Sequence, residues 1–123
     1  MANMPTILVV DDDDIIRTML IDILESAGYQ VVSASDGEEA IDLFRKKPAD
    51  LVLTDLVMPN REGLETIIEL TGLDPGIKII AMTGVVRPEI LKAAKLLGAK
   101  RVLCKPFSIE EILDAVSEVL EGR

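Results

Sequence analysis

Four carboxylates in a row, Asp11-Asp12-Asp13-Asp14, directly follow four aliphatic residues, Ile7-Leu8-Val9-Val10. Carboxylates this closely spaced resist ionising together unless a cation holds them, and an all-oxygen site with few protein ligands suits Mg²⁺. Three further polar groups close apolar runs in the same way. Asp55 ends Leu51-Val52-Leu53-Thr54, Thr83 ends the run over 77–82, and Lys105 follows Val102-Leu103-Cys104. Carboxylates with a divalent cation, a hydroxyl and a lysine suit something small, dianionic and oxygen-rich, and a phosphoryl group meets each requirement. The metal and Lys105 would neutralise its equatorial oxygens, Thr83 would hydrogen-bond one of them, and a carboxylate would attack in line. Asp55 stands alone and is the candidate nucleophile, whereas the adjacent Asp11 and Asp12 are better suited to holding a cation. The competing explanation of the acidic run is that it caps the next helix and faces water.

Composition narrows the chemistry further. The chain has no histidine, which excludes Ser-His and Cys-His catalysis and imidazole-dependent zinc sites. Its 22 acidic against 13 basic residues give a net charge of −9, which argues against this domain gripping phosphate backbones by itself. A single cysteine, Cys104, rules out an internal disulfide and fits a reducing compartment; its apolar neighbours predict a buried structural thiol. No run approaches the length of a membrane span and the first residues lack signal-peptide features, so a cytoplasmic protein is expected. With 123 residues, 49% of them hydrophobic, one domain over 1–123 with an aliphatic core is expected.

The elements that must position these groups are legible from periodicity. Apolar runs at 7–10, 51–54, 77–82 (broken only by Lys78) and 102–104, with Val31-Val32 inside a short segment at 29–34, predict five strands, those at 7–10 and 51–54 buried on both faces. Between them, apolar residues recur at helical spacing. The first helix carries Ile16, Leu20, Ile23, Leu24 and Ala27 and stops at Gly28; the second opens with a capping box of Asp36 and Glu39. Met58-Pro59-Asn60-Arg61-Glu62-Gly63 is a loop, and the third helix uses Leu64, Ile67 and Ile68 to a stop near Gly72. Pro88 opens the fourth, which carries Ile90, Leu91, Ala94 and Leu97 to Gly98. Ser108 and Glu111 box the fifth, whose stripe is Ile112, Leu113, Val116, Val119 and Leu120.

Five strands alternating with five helices give a (βα)₅ α/β fold, a doubly wound parallel sheet with helices on both faces. Right-handed crossovers place every strand's carboxyl end on one edge. Asp11 to Asp14, Asp55, Thr83 and Lys105 must therefore emerge together, where open α/β sheets bind ligands.

Those residues also carry a resemblance covering the whole chain. Val9-Val10-Asp11-Asp12, Arg17, Asp55 in Asp-Leu-Val-Met-Pro, Gly63, Thr83-Gly84 and Lys105-Pro106-Phe107 resemble the receiver domain of two-component response regulators, the CheY-like superfamily. The resemblance implies a flavodoxin-like sheet of strand order 2-1-3-4-5. It further implies that Asp55 accepts a phosphoryl group from a phosphohistidine on a sensor kinase or histidine phosphotransfer protein. Mg²⁺, with Mn²⁺ as a substitute, would be bound by Asp12 directly, Asp11 through water, an Asp55 oxygen and the Val57 backbone carbonyl. Lys105 would pair with Asp55 at rest and with the phosphoryl oxygens afterwards, Thr83 and Gly84 would form the switching segment, and Lys105-Pro106 would be cis. The output would be a downstream protein or a fused output domain.

The sequence departs from the family pattern in two places. Where receivers often carry an aromatic residue three positions before the lysine, this chain has Val102, so a reduced or rerouted conformational change is expected. The positions two beyond Asp55 and two beyond Thr83 are Val57 and Val85, neither able to orient a hydrolytic water, which predicts slow self-dephosphorylation. Ile15 and Met19 lie to one side of the first helix's core stripe, on the helix that family members dock against a kinase bundle, and are candidate contacts; shielding by a neighbouring helix is the alternative. Three rivals remain. A haloacid-dehalogenase-like phosphatase shares Asp11-x-Asp13 but prefers another residue at Ile15 and an acidic pair after Lys105. A Ca²⁺ loop from Asp11 fails at Ile16, where glycine is needed. A receiver-shaped module that never takes phosphate would not need the five polar residues together.

Overall fold

The computed structural model describes residues 4–57, 63–85 and 87–122. Five strands, β1 (Thr6–Val10), β2 (Gln30–Ala34), β3 (Leu51–Asp55), β4 (Lys78–Thr83) and β5 (Ala99–Cys104), alternate with five helices. These are α1 (Asp14–Ser26), α2 (Gly37–Lys46), α3 (Gly63–Leu73), α4 (Pro88–Leu97) and α5 (Ile109–Leu120). All pairings are parallel and the strand order is β2-β1-β3-β4-β5. The expected (βα)₅ doubly wound architecture and order 2-1-3-4-5 are thus the observed ones.

Side-chain alternation splits the core into two layers. Ile7, Val9, Leu51, Leu53, Ile80, Met82 and Leu103 meet Leu20 and Leu24 of α1 and Ile112, Ala115, Val116 and Val119 of α5. Leu8, Val10, Val52, Ile79 and Ala81 face the other way, onto Ala40, Ile41 and Phe44 of α2, Ile67 and Leu70 of α3 and Ala94 of α4. The central strands β1 and β3 are buried along their whole length, as continuous aliphatic runs require.

Local signals account for the helix ends. Pro88 occupies the first turn of α4, and Gly98 ends it at φ 130°, where a side chain would be strained. Ser108 and Glu111 form the full reciprocal box on α5. At α2 the box is only half made. The Asp36 side chain accepts from the Glu39 N–H, but Glu39 Oε1 reaches back to the Ser35 N–H at 2.7 Å, one residue earlier than expected.

Four expectations need correction. Cys104 is exposed rather than buried, because β5 is an edge strand whose alternation turns Leu103 inward and Cys104 outward. Ile68 is 52% exposed: the buried stripe of α3 is Gly63, Thr66, Ile67 and Leu70, and one residue further round faces solvent. Ala27 is exposed because it is the cap that follows α1, beyond its last packed turn. β5 begins at Ala99, three residues before the apolar run, with a register irregularity opposite Ile79 and Ile80. The loop residues Met58 to Glu62 lie outside the described residues.

Candidate functional site

Each polar group reaches the carboxyl edge of the sheet on a different strand. Asp11 is the first residue beyond β1, and its N–H donates to the Ala34 carbonyl, prolonging the β1–β2 ladder. Asp55 is the last residue of β3, in register with Met82 of β4. Lys105 follows β5, and its N–H donates to the Thr83 carbonyl at 2.7 Å. The Lys105-Pro106 peptide bond is cis.

These strand ends bring the charges together. Carboxylate oxygens of Asp11, Asp12 and Asp55 all lie within 4.8 Å of one another. Lys105 Nζ donates to Asp11 Oδ2 at 2.9 Å and to Asp55 Oδ2 at 3.0 Å, while Asp55 Oδ1 accepts from the Val57 N–H at 3.2 Å. Asp11 and Asp55 are buried and Asp12 is exposed. Burial pushes the Asp55 carboxyl above its ordinary range, against the opposing pull of Lys105 and the Val57 N–H, and the Asp11 charge adds to the rise. Burial alone would lower Lys105, but its bonds to Asp11 and Asp55 outweigh that and hold the ammonium more firmly protonated than usual. Among the described residues, the three clustered carboxylates thus have one bonded ammonium, which reaches two of them, Asp11 and Asp55. The negative balance and the hard oxygen donors fit a divalent cation of the Mg²⁺ or Mn²⁺ type.

Thr83 is fully buried at the same edge, one residue beyond Asp55's partner on β4. Its hydroxyl is engaged within its own loop: it donates to the Val85 carbonyl and accepts from the Val85 N–H, both at 3.0 Å. Val57 and Val85 are 54% and 44% exposed, whereas Val102 is partly buried and packs against the layer under α2, α3 and α4. Gly63 opens α3 against the backbone at the end of β3. Its N–H donates to the Leu56 carbonyl, and a Cβ there would lie 2.3 Å from the Asp55 carbonyl oxygen, which no side chain tolerates. A Cβ on Gly84 would stand 4.0 Å from that of Lys105, in ordinary contact.

The acidic run divides: two of its residues face the other strand ends and two serve the helix. Asp11 and Asp12 join the cluster. Asp13 caps α1, its Oδ1 accepting from the Ile15 and Ile16 N–H groups at 2.9 and 3.1 Å, and Asp14 in the first turn pairs with Arg17. The phosphatase rival loses its second acid in this way, since the carboxylate of Asp13 is committed to the helix. In the sequence Arg17 stands out only as a motif residue, yet its Nη1 donates to the Asp11 carbonyl at 2.8 Å. The signal for it was a cation near a helix N-terminus, against the helix dipole.

A five-stranded sheet of this order with an Asp, Asp, Asp and Lys cluster at its carboxyl edge defines a receiver, and the chain belongs to the response regulator receiver domain family, whose profile matches residues 7–117. Receivers are signalling modules and not classical enzymes. Among its relatives, protein CcdB of Bacillus subtilis is 39% identical, over 95% of this chain and 98% of its own. Sporulation initiation phosphotransferase F of the same organism is 38% identical, over 93% of this chain and 92% of its own. Among solved structures, chemotaxis protein CheY4 of Vibrio cholerae superposes with a TM-score of 0.91 at 33% identity, covering 95% of this chain and 99% of that one. The CheX-CheY-BeF3-Mg complex of Borrelia burgdorferi matches with a TM-score of 0.88 at 26% identity, covering 93% of this chain and 87% of that one.

Proposed function

We propose that this chain serves phosphorelay signalling by taking a phosphoryl group onto Asp55 from a phosphohistidine on a sensor kinase or histidine phosphotransfer protein. The product then alters contacts with a downstream protein or a fused output domain. The observation that carries this reading is the Lys105 ammonium bonded to both Asp11 and Asp55, beside three carboxylates drawn to within 4.8 Å. The phosphotransferase named among its relatives, and the complex of a CheY with beryllofluoride and Mg²⁺, support it.

Asp11, Asp12, Asp55 and the Val57 backbone carbonyl are the groups that would hold Mg²⁺, or Mn²⁺ in its place, and the bound cation supplies charge neutralisation on the transferring oxygens. The chain's own residues do the rest. An Asp55 oxygen forms the new O–P bond as the P–N bond to histidine breaks, and the departing imidazole nitrogen keeps the electron pair. Lys105 shifts from the Asp55 carboxylate to a phosphoryl oxygen. Thr83 turns its hydroxyl to donate a hydrogen bond to another, releasing the Val85 carbonyl. Val57 and Val85 flank this edge with apolar side chains that orient no water, so hydrolysis of the acyl phosphate is slow. Turnover is confined to the chain's own phosphorylation and that hydrolysis.

The partner bearing the phosphohistidine docks on α1. Ile15 is 81% exposed and Met19 is exposed too, and they share a groove with Ile23 and Ile109 rimmed by Asp14 and Asp22. No described helix is long and apolar enough to cross a membrane. The net charge of −9 supports protein partners over nucleic acid or an anionic membrane. The exposed free thiol of Cys104 supports a cytoplasmic setting, and one receiver domain over 1–123 accounts for the fold.

Intact mass after incubation with acetyl phosphate and Mg²⁺, for wild type and Asp55→Ala, tests the central claim. One added phosphoryl group that needs Mg²⁺ and disappears in the variant is the expected result. An adduct that persists in Asp55→Ala would sink the assignment, as would no adduct together with no uptake of beryllofluoride.

A further inference from the structure

Arg17 lies outside the acidic pocket, yet it spans the turn from which two of the pocket's three acids project. Its Nη1 donates to the backbone carbonyl of Asp11 at 2.8 Å and its Nη2 to the carboxylate of Asp14, and its own N–H donates to the Asp13 carbonyl at 2.9 Å. The side chain is only 19% exposed, though it carries a full charge. Asp12 sits inside the span, between an Asp11 tied down by Arg17 and an Asp13 whose N–H donates to Asp11 Oδ1 at 2.9 Å. Arg17 therefore fixes the backbone on which Asp11 and Asp12 are mounted, touching neither of their carboxylates.

We propose that Arg17 is a positioning residue for cation binding: its guanidinium fork holds the β1–α1 turn so that the Asp11 and Asp12 carboxylates converge with that of Asp55. The proposal rests on the reading of that pocket as the Mg²⁺ site. A fork geometry is needed because two acceptors, a main-chain carbonyl and a carboxylate, must be held at once; an ammonium is a point charge and cannot impose the same orientation.

Electrostatics and positioning make opposite forecasts, which lets the experiment separate them. Removing a positive charge beside a cation site should by itself tighten Mg²⁺ binding. Releasing the turn that mounts two ligands should weaken it, as losing a group that orients metal ligands typically costs about tenfold or more in affinity. The measurement is Mg²⁺ titration of the full chain by calorimetry at fixed ionic strength, for wild type, Arg17→Met and Arg17→Lys, with circular dichroism confirming the fold. The expected result is a Kd raised about tenfold in Arg17→Met and by a smaller factor in Arg17→Lys, which keeps the charge and loses the fork. Maximal acyl-phosphate formation at saturating Mg²⁺ is expected to be retained while its Mg²⁺ midpoint moves with Kd. If Arg17→Met does not fold, Arg17→Lys decides. In the deciding variant a Kd raised threefold or more supports positioning, and any smaller rise, or a fall, overturns it even if thermal stability drops. Failure of the wild type to bind Mg²⁺ would instead overturn the reading of the pocket, and the proposal with it.

Discussion

Replacing Lys105 by methionine keeps the bulk of the side chain and removes the cation that, among the described residues, bonds to both Asp11 and Asp55. Two charge-assisted hydrogen bonds of 2.9 and 3.0 Å are lost, leaving one carboxylate fully buried and another nearly so. Removing one partner of a buried ion pair costs about 3–5 kcal/mol. Lys105 retains 18% exposure, so water relieves part of the penalty and the lower end, about 3 kcal/mol, is the appropriate value. For a chain of this length that corresponds to a fall in Tm of about 12 °C. The site's design adds a second, more specific expectation. With the ammonium gone, Mg²⁺ meets the acids without a competitor, and a cation at about one hundred times its Kd returns roughly 2.7 kcal/mol. Lys105→Met should thus melt well below wild type in EDTA and recover most of the deficit in saturating Mg²⁺, while the wild type gains less. Thermal and urea melts, each with EDTA and with Mg²⁺, measure both quantities. A deficit under about 1 kcal/mol in EDTA, or one that Mg²⁺ leaves unchanged, would refute the view that Lys105 serves as the resting counter-ion of a cation site.

Three more expectations concern the edges of the site. Val85→Glu or Val57→Asn should shorten the lifetime of the aspartyl phosphate by about tenfold, a modest share of what a positioned polar group contributes to proton transfer; phosphate release after a chase would detect it, and an unaltered lifetime in both variants would remove the valines from the account. Ile15→Ala should slow transfer from a phosphohistidine partner by about tenfold, the effect of losing one well-packed interface contact. Phosphorylation by acetyl phosphate and the melting curve should stay as in wild type, and equal losses with both donors would point to a folding defect instead. Because Val102 cannot swing as a ring would, amide shifts on beryllofluoride binding should be large at Thr83 to Val85 and small along β5 and the start of α5. Shifts of equal size in both places would contradict a rerouted switch.

What the sequence revealed follows from which interactions are local. Aliphatic runs are continuous only where a strand is covered on both faces, so β1, β3 and β4 were legible, and right-handed crossovers then forced their ends together. The site residues were legible for a related reason, since Asp11, Asp55, Thr83 and Lys105 each end an apolar run. Edges were harder to read. β5 pairs on one side only, so polar Lys100 and Arg101 are tolerated inside it and Cys104 can face water, which a reading based on neighbours takes for burial. Pairwise geometry was also hidden: that Glu39 reaches Ser35, or that Arg17 holds the Asp11 carbonyl, depends on the path of a turn and not on residue type. The close approach of Gly63 to the Asp55 peptide is likewise a three-dimensional fact, visible beforehand only as a glycine in a motif.

The division of labour in the acidic run has one more consequence. Asp11 must remain in phase with β1 to continue its ladder, whereas Asp13 must remain in phase with α1 to cap it, and a single residue, Asp12, separates the two. Inserting one residue here would feed a pocket acid into the cap or draw the cap into the pocket, and a deletion would do the reverse. The segment behaves like a reading frame: its four carboxylates are chemically identical, and only their count from the strand tells each one which task is its own.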